Sequence, residues 1–191
     1  MLSLIPDLRG ERPLRLLCIG AHSDDLEIGC GGTILTWLAG MRAVEVTWVV
    51  LSAEGVRAAE ARRSARSLLA RAVTSRVIVA DFHDGYFPAE YLELKGRFEG
   101  LKAEVDPDVV FTHKLHDRHQ DHRLVAELTW NTWRNHLVLE YEIPKYEGDL
   151  ARPMSTCRFR RRSRDARSAI WSAASLPNAQ GIGFPRKPSW V

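Results

Sequence analysis

His22, Asp24 and Asp25 stand together, directly after an apolar run from Leu14 to Gly20 and shortly before Thr33–Leu38, whose spacing is helical. Adjacent carboxylates repel, and crowding raises the pKa of one unless a cation neutralises them. A divalent metal is the simplest such cation. A second polar cluster offers further donors: His113, His116, Asp117, His119, Asp121 and His122 lie within ten residues and include four of the seven histidines. A hydrolytic zinc site takes three protein ligands from nitrogen and oxygen donors and leaves one position for water. His22, one aspartate of the doublet and one histidine of the second cluster would make that set. Imidazole and carboxylate donors also suit iron, cobalt or manganese.

The elements that must position these groups alternate along the chain. Apolar and β-branched runs predict strands over residues 15–20, 43–51, 76–80, 109–112 and 137–143. Helical patterns fall between them, over 28–39, 56–72, 89–104 and 120–135, with a turn-rich loop at 81–88. Strands alternating with helices predict an α/β fold, a Rossmann-like three-layer sandwich around a mostly parallel sheet. Both polar clusters follow predicted strands. They therefore belong on one rim of the sheet, where open α/β folds bind ligands.

His22-Ser23-Asp24-Asp25, the glycines Gly29, Gly31 and Gly32 behind it, and His119-Gln120-Asp121-His122 about a hundred residues later resemble the two motifs of the PIG-L/LmbE family of zinc-dependent N-acetylglucosaminyl deacetylases. The family's motifs are usually H-P-D-D-E and H-P-D-H. This chain has Ser23 and Gln120 where proline is usual, and Leu26 where glutamate is usual; Glu27 comes one place late and is not taken as its replacement. The resemblance covers residues 14–150. It implies His22, Asp25 and His122 as ligands of Zn2+, Asp24 as general base, and His119 as the group that stabilises the oxyanion or protonates the leaving amine. It also implies that Asp121 bonds an imidazole, that of His119. The implied substrate is a small N-acetylglucosaminyl conjugate.

Arg57, Arg62 and the Asp84-Gly85 loop are expected on the same rim as candidates to hold sugar hydroxyls. The Asp117-Arg118 pair reads as an ordinary ion pair, and His113 and His116 as bystanders. The glycine run lacks the G-x-G-x-x-G spacing of a dinucleotide loop, and close helix–strand packing is its expected role. One alternative is a protein that keeps the site but has lost turnover. The other is a receiver-like signalling domain with an acidic doublet and Asp81 as phosphoacceptor, in which the histidines would have no purpose.

Bulk properties narrow the class further. A chain of 191 residues, 45% hydrophobic, can bury one substantial core. Cys18, Cys30 and Cys157 are too scattered for a disulfide framework. The N-terminus has neither the charged start nor the apolar length of a secretory signal, and no run approaches the roughly 20 apolar residues that span a bilayer. A cytoplasmic protein is expected, with no nucleic-acid or membrane partner and with homo-oligomerisation open. The net charge of +3 is uneven, because residues 151–167 hold seven arginines and one aspartate. Residues 1–150 read as the deacetylase-like domain, and 151–191 as an irregular basic tail, disordered or frameshifted. Codons permitted for Ser155–Arg160, read in another frame, encode Y-V-P-V-S, a string that resembles family sequence following a stretch such as Glu140–Pro144.

Overall fold

Strand β1 (Leu14–His22) is apolar on both faces, as a central parallel strand must be. Leu14, Leu16 and Cys18 face one buried cluster, and Leu17, Ile19 and Ala21 the other. The structure, a computed structural model, describes residues 12–40 and 43–145. Around β1 the parallel strands β2 (Val44–Ser52), β3 (Thr74–Val79), β4 (Val109–His113) and β5 (Leu137–Tyr141) complete a sheet of order β3-β2-β1-β4-β5. The chain steps outward from β1 to β3, then returns to the other side of β1 to place β4. The winding therefore reverses between β1 and β4, and the crevice at their carboxyl ends is the topological switch point.

Helices cover both faces. Helices α1 (Asp25–Gly29), α2 (Gly31–Gly40) and α3 (Gly55–Leu68) contribute Leu26, Ile34, Trp37, Ala65 and Leu68 to the first cluster. Helices α4 (Tyr91–Glu104) and α5 (Gln120–Thr132) contribute Leu94, Phe98, Leu101, Val125 and Leu128 to the second. The expected three layers are present, and no described helix is long and apolar enough to cross a membrane. The basic tail and its proposed reading frame lie outside the described residues.

The first helix departs from expectation. The predicted single helix over 28–39 begins earlier, at Asp25, and is broken at Cys30, whose φ of −132° and ψ of −3° interrupt the helical path. Gly29 sits at this break because Tyr141 needs the space. A Cβ on Gly29 would overlap the Tyr141 ring, which is buried and tethered by its hydroxyl donating to the Ile19 carbonyl at 2.8 Å. A smaller departure precedes α4, where a 3-10 turn (Phe87–Glu90) carries Pro88 at its start.

The opposite end of β1 is held by charge. Asp108, in the turn before β4, takes both guanidinium nitrogens of Arg12 at 2.7 and 2.8 Å and the Arg15 backbone N–H at 2.9 Å. The Arg12 bond is the chief cause of an Asp108 pKa lowered to about 2, and partial burial opposes it.

Two expectations follow. Gly29→Ala should destabilise the fold by about 3 kcal/mol in urea denaturation, because the tethered Tyr141 ring has nowhere to go. A folded-state pKa below the unfolded one adds stability that is present above about pH 4 and is lost as pH falls through about 2. Denaturation midpoints followed downward from pH 5 should therefore drop less steeply in Asp108→Asn than in the wild type.

Candidate active site

Each functional side chain sits where a strand ends or a helix begins. His22 is the last residue of β1, and Asp25 is the first of α1. The Asp25 Oδ2 accepts the His22 backbone N–H at 2.7 Å, which closes this turn. Across the crevice, His113 ends β4, while His119 stands at the N-cap of α5 with His122 in its first turn. His22 Nδ1 lies 3.2 Å from His122 Nε2 and 3.4 Å from Asp25 Oδ2, and His122 Nε2 lies 3.5 Å from Asp25 Oδ1. Ligands about 2.0–2.2 Å from a tetrahedral zinc ion are separated by about 3.3–3.5 Å. His22 meets the Asp25 carboxylate through Oδ2 and His122 meets it through Oδ1, so the two imidazoles approach different oxygens of Asp25 at about that spacing.

The wider cluster contains overlapping groups of donors whose ligand atoms lie within 4.8 Å: His22, His119 and His122; His22, Asp84, His119 and Asp121; and Asp25, His113 and His122. Several of these atoms are already engaged. The His113 Nε2 faces the Ala21 backbone N–H at 3.0 Å, and the His119 Nδ1 accepts the Asp121 N–H at 3.3 Å. With Nδ1 accepting, the neutral His119 ring carries its proton on Nε2. Burial first, then the neighbouring His122 and His22, lower the His119 pKa and favour that neutral form.

Carboxylates stand behind the His22 and His122 imidazoles. Asp121 is fully buried, and its Oδ2 lies 3.2 Å from His22 Nε2. The imidazole it bonds is thus His22 and not His119 as expected, because the side chain of Asp121 turns toward β1 while only its backbone meets His119. Asp117 holds His122 Nδ1 at 3.1 Å and also takes Lys145 Nζ at 2.5 Å and the His119 backbone N–H at 2.8 Å. Burial opposes the charge on Asp117, but these donors outweigh it and hold the carboxyl far below its usual range. Asp117 is therefore more than the ordinary loop ion pair that its sequence neighbour Arg118 suggests.

His113 is no bystander either. It is fully buried, 3.2 Å from Asp25 Oδ2 and stacked on His122 with ring centroids 3.9 Å apart. Burial outweighs its carboxylate neighbour and lowers its pKa to about 4, so the ring is neutral. Its position at the end of β4 is the signal in the sequence that points to it. His116 is exposed, in keeping with a bystander.

For His22, burial opposes charge, but Asp121 and Asp25 prevail and raise the pKa to about 10. The carboxylates that draw a proton there would equally draw a cation. Asp25 stays ionised although buried, because bonds from His113 and His22 outweigh desolvation.

Asp24 differs from all of these. It occupies the N-cap position of α1, yet its side chain makes no capping bond. Asp24 is exposed at the mouth of the turn, yet partial desolvation and then repulsion from Asp25 raise its pKa. An ionised carboxylate with a raised pKa and no capping bond is suited to accept a proton. Glu27 points elsewhere: it is buried against α3, accepts the Ser64 hydroxyl at 2.7 Å, and is pushed by burial to a pKa of about 7.

The candidate sugar-binding residues separate. The Asp84 Oδ1 lies 3.0 Å from His22 Nε2, at the mouth of the cluster. Arg57 is exposed at the start of α3, with its charge felt at Asp24. The Arg62 guanidinium donates at 3.4 Å to the Val79 carbonyl on edge strand β3, and so braces the sheet.

Imidazoles and carboxylates converging at the switch point of a parallel sheet, with an uncommitted acid alongside, define an α/β domain whose cluster could hold a metal ion. The chain belongs to the PIG-L family: the profile described as GlcNAc-PI de-N-acetylase matches residues 17–133. Among solved structures, it is similar to the A40926 pseudoaglycone deacetylase Dbv21, at 18% identity and a TM-score of 0.63, over 85% of this chain and 80% of that one. It is also similar to the conserved protein TT1542 from Thermus thermophilus, at 24% identity and a TM-score of 0.52, over 69% of this chain and 67% of that one. At these identities the likeness shows the fold. The chain spans only 48% of N,N'-diacetylchitobiose deacetylase from Pyrococcus horikoshii, over 62% of its own length, at 24% identity and a TM-score of 0.45.

Carboxylates behind metal-bound histidines typically carry a 10–100-fold share of metal affinity. Asp117→Asn should weaken zinc binding by about that factor in a chelator-competition titration, with the fold unchanged by circular dichroism.

Proposed function

We propose that the protein is a metal-dependent N-deacetylase that hydrolyses the acetamide of an N-acetylglucosaminyl conjugate to acetate and a free amine. The observation that carries this reading is the convergence of His22 and His122, 3.2 Å apart, on the Asp25 carboxylate, whose two oxygens lie 3.4 and 3.5 Å from them, beside an Asp24 that makes no capping bond. The nitrogen and oxygen donors suit Zn2+, and each ligand imidazole has a carboxylate behind it. A bound ion would polarise the acetamide carbonyl and acidify a water molecule.

The remaining roles belong to the chain. Asp24 accepts a proton from the attacking water. His119, neutral and protonated on Nε2, donates to the developing oxyanion, in line with the tautomer that the Asp121 N–H imposes. The leaving nitrogen takes a proton as the C–N bond breaks, and Asp24, having just gained one, is the donor this arrangement favours. Asp84, exposed at the mouth, accepts a sugar hydroxyl, and Arg57 supplies positive charge at the same rim. The amino sugar itself is inferred from family membership; the geometry supports amide hydrolysis.

Asp24→Asn should retain the metal at full stoichiometry and lose about 10²–10⁴ in kcat, measured as acetate release from N-acetylglucosaminyl conjugates. Loss of metal with an unchanged rate per bound ion would refute the assignment. A wild-type protein that binds zinc fully and releases no acetate would instead favour the degenerate alternative.

A further inference from the structure

We infer that Gln120 is a positioning residue, whose side-chain amide clamps the loop after β3 and so holds Asp84 in place over His22. This inference rests on the deacetylase reading of the site. The peptide units flanking Gly85 are gripped from both directions by consecutive residues of α5. The Gly85 N–H donates to Asp121 Oδ2 at 2.6 Å, and the Gly85 carbonyl accepts from Gln120 Nε2 at 3.0 Å. A third bond runs from the Phe87 N–H to Asp121 Oδ1 at 3.2 Å. Gly85 has a φ of +83°, a conformation that side chains disfavour, so the turn is specific.

Asp121 also contacts His22, so its part in holding the loop cannot be separated from the ligand cluster. The Gln120 amide instead bonds the loop, at the Gly85 carbonyl, and not the ligand imidazoles. Around the clamp, Asp81, His83, Asp84 and Tyr86 are exposed. Phe87 anchors the far end of this segment in the core and His83 is held by Glu90, while the turn at Asp84 and Gly85 between them relies on its hydrogen bonds for local order. Holding the Gly85 peptide fixes the residue before it, and the Asp84 carboxylate then meets an incoming hydroxyl from a set position. The Gln120 amide itself bonds to neither Asp24 nor the histidines, so loss of the clamp acts through Asp84 and weakens that encounter, an effect expressed in KM.

The backbone permits a clean test. Gln120 is the first residue of α5, and His119 before it is extended, with φ −73° and ψ 123°. Proline is favoured at a first helical position and requires an extended predecessor. Gln120→Pro therefore removes the donor and keeps the helix start, and Gln120→Met removes it while keeping length and bulk. In the zinc-loaded full chain, both should speed hydrogen exchange over residues 83–87 about tenfold, the equivalent of one hydrogen bond. On N-acetylglucosaminyl conjugates both should raise KM about 5–10-fold, with kcat within about twofold and zinc affinity unchanged.

Unchanged exchange in both variants would overturn the clamp. Faster exchange with KM unmoved would overturn the role given to Asp84. If the wild type itself turns nothing over, the deacetylase reading fails, while the exchange comparison still decides whether Gln120 orders the loop.

Discussion

A buried carboxylate remains charged only when partners replace the water it has lost. Asp25 is the point at which this fold meets that requirement. Its Oδ2 takes the His22 backbone N–H and lies 3.2 Å from the His113 imidazole, and its other oxygen faces His122. These partners come from β1, β4 and α5, so Asp25 can be satisfied only when the strands on either side of the switch point are in register. The pairing of Cys18 with Phe111 in that register, and of His113 with Tyr141, is what brings the donors to one level. Site and fold are thus one energetic unit. The charge that could hold an ion is also a charge that penalises misalignment of the strands.

The two members of the acidic doublet diverge because of where the helix starts. Asp25 falls inside α1, where it is buried and bonded, while Asp24 falls at the cap and is left without a capping bond. Environment pushes their proton affinities apart, downward for Asp25 and upward for Asp24. Such a separation is the usual means by which one pair of like residues supplies both a fixed charge and a proton acceptor. Burial alone would raise both. The difference comes from the side-chain hydrogen bonds that hold Asp25 to His113 and His22.

Much of this was legible in the sequence. Period and composition placed five strands and the helices between them, and the two polar clusters followed strands, which put them on one rim. Residue types pointed to His22, one aspartate of the doublet and a histidine of the second cluster, and the family resemblance to Asp25 and His122; the fold brings these side chains to contacts of 3.2–3.5 Å. What was not legible depends on side-chain direction. No spacing rule tells that Asp121 turns to His22, or that Asp117 lies behind His122. Both choices are made by where α5 docks against the sheet. The need for Gly29 beside the break was hidden for a similar reason: the ring that leaves no room for a Cβ there belongs to Tyr141, more than a hundred residues away along the chain. Local propensity is a weak guide where a distant aromatic decides which residue fits.

Asp121 shows how few groups join the deep part of the site to its mouth. One oxygen lies within reach of both His22 and the Gly85 N–H, and the other holds the Phe87 N–H. The carboxylate that orients a ligand imidazole therefore also folds the loop that carries Asp84 back to the same imidazole. Any shift of α5 would move both together, so the position of Asp84 and the geometry of the donor cluster are coupled through a single residue. Gln120 is the only other side chain among the described residues with a hydrogen bond to that Gly85 peptide. Its amide bonds the loop and not His22, so the two consecutive residues that open α5 hold the same turn from opposite sides, one in contact with the donor cluster and one not.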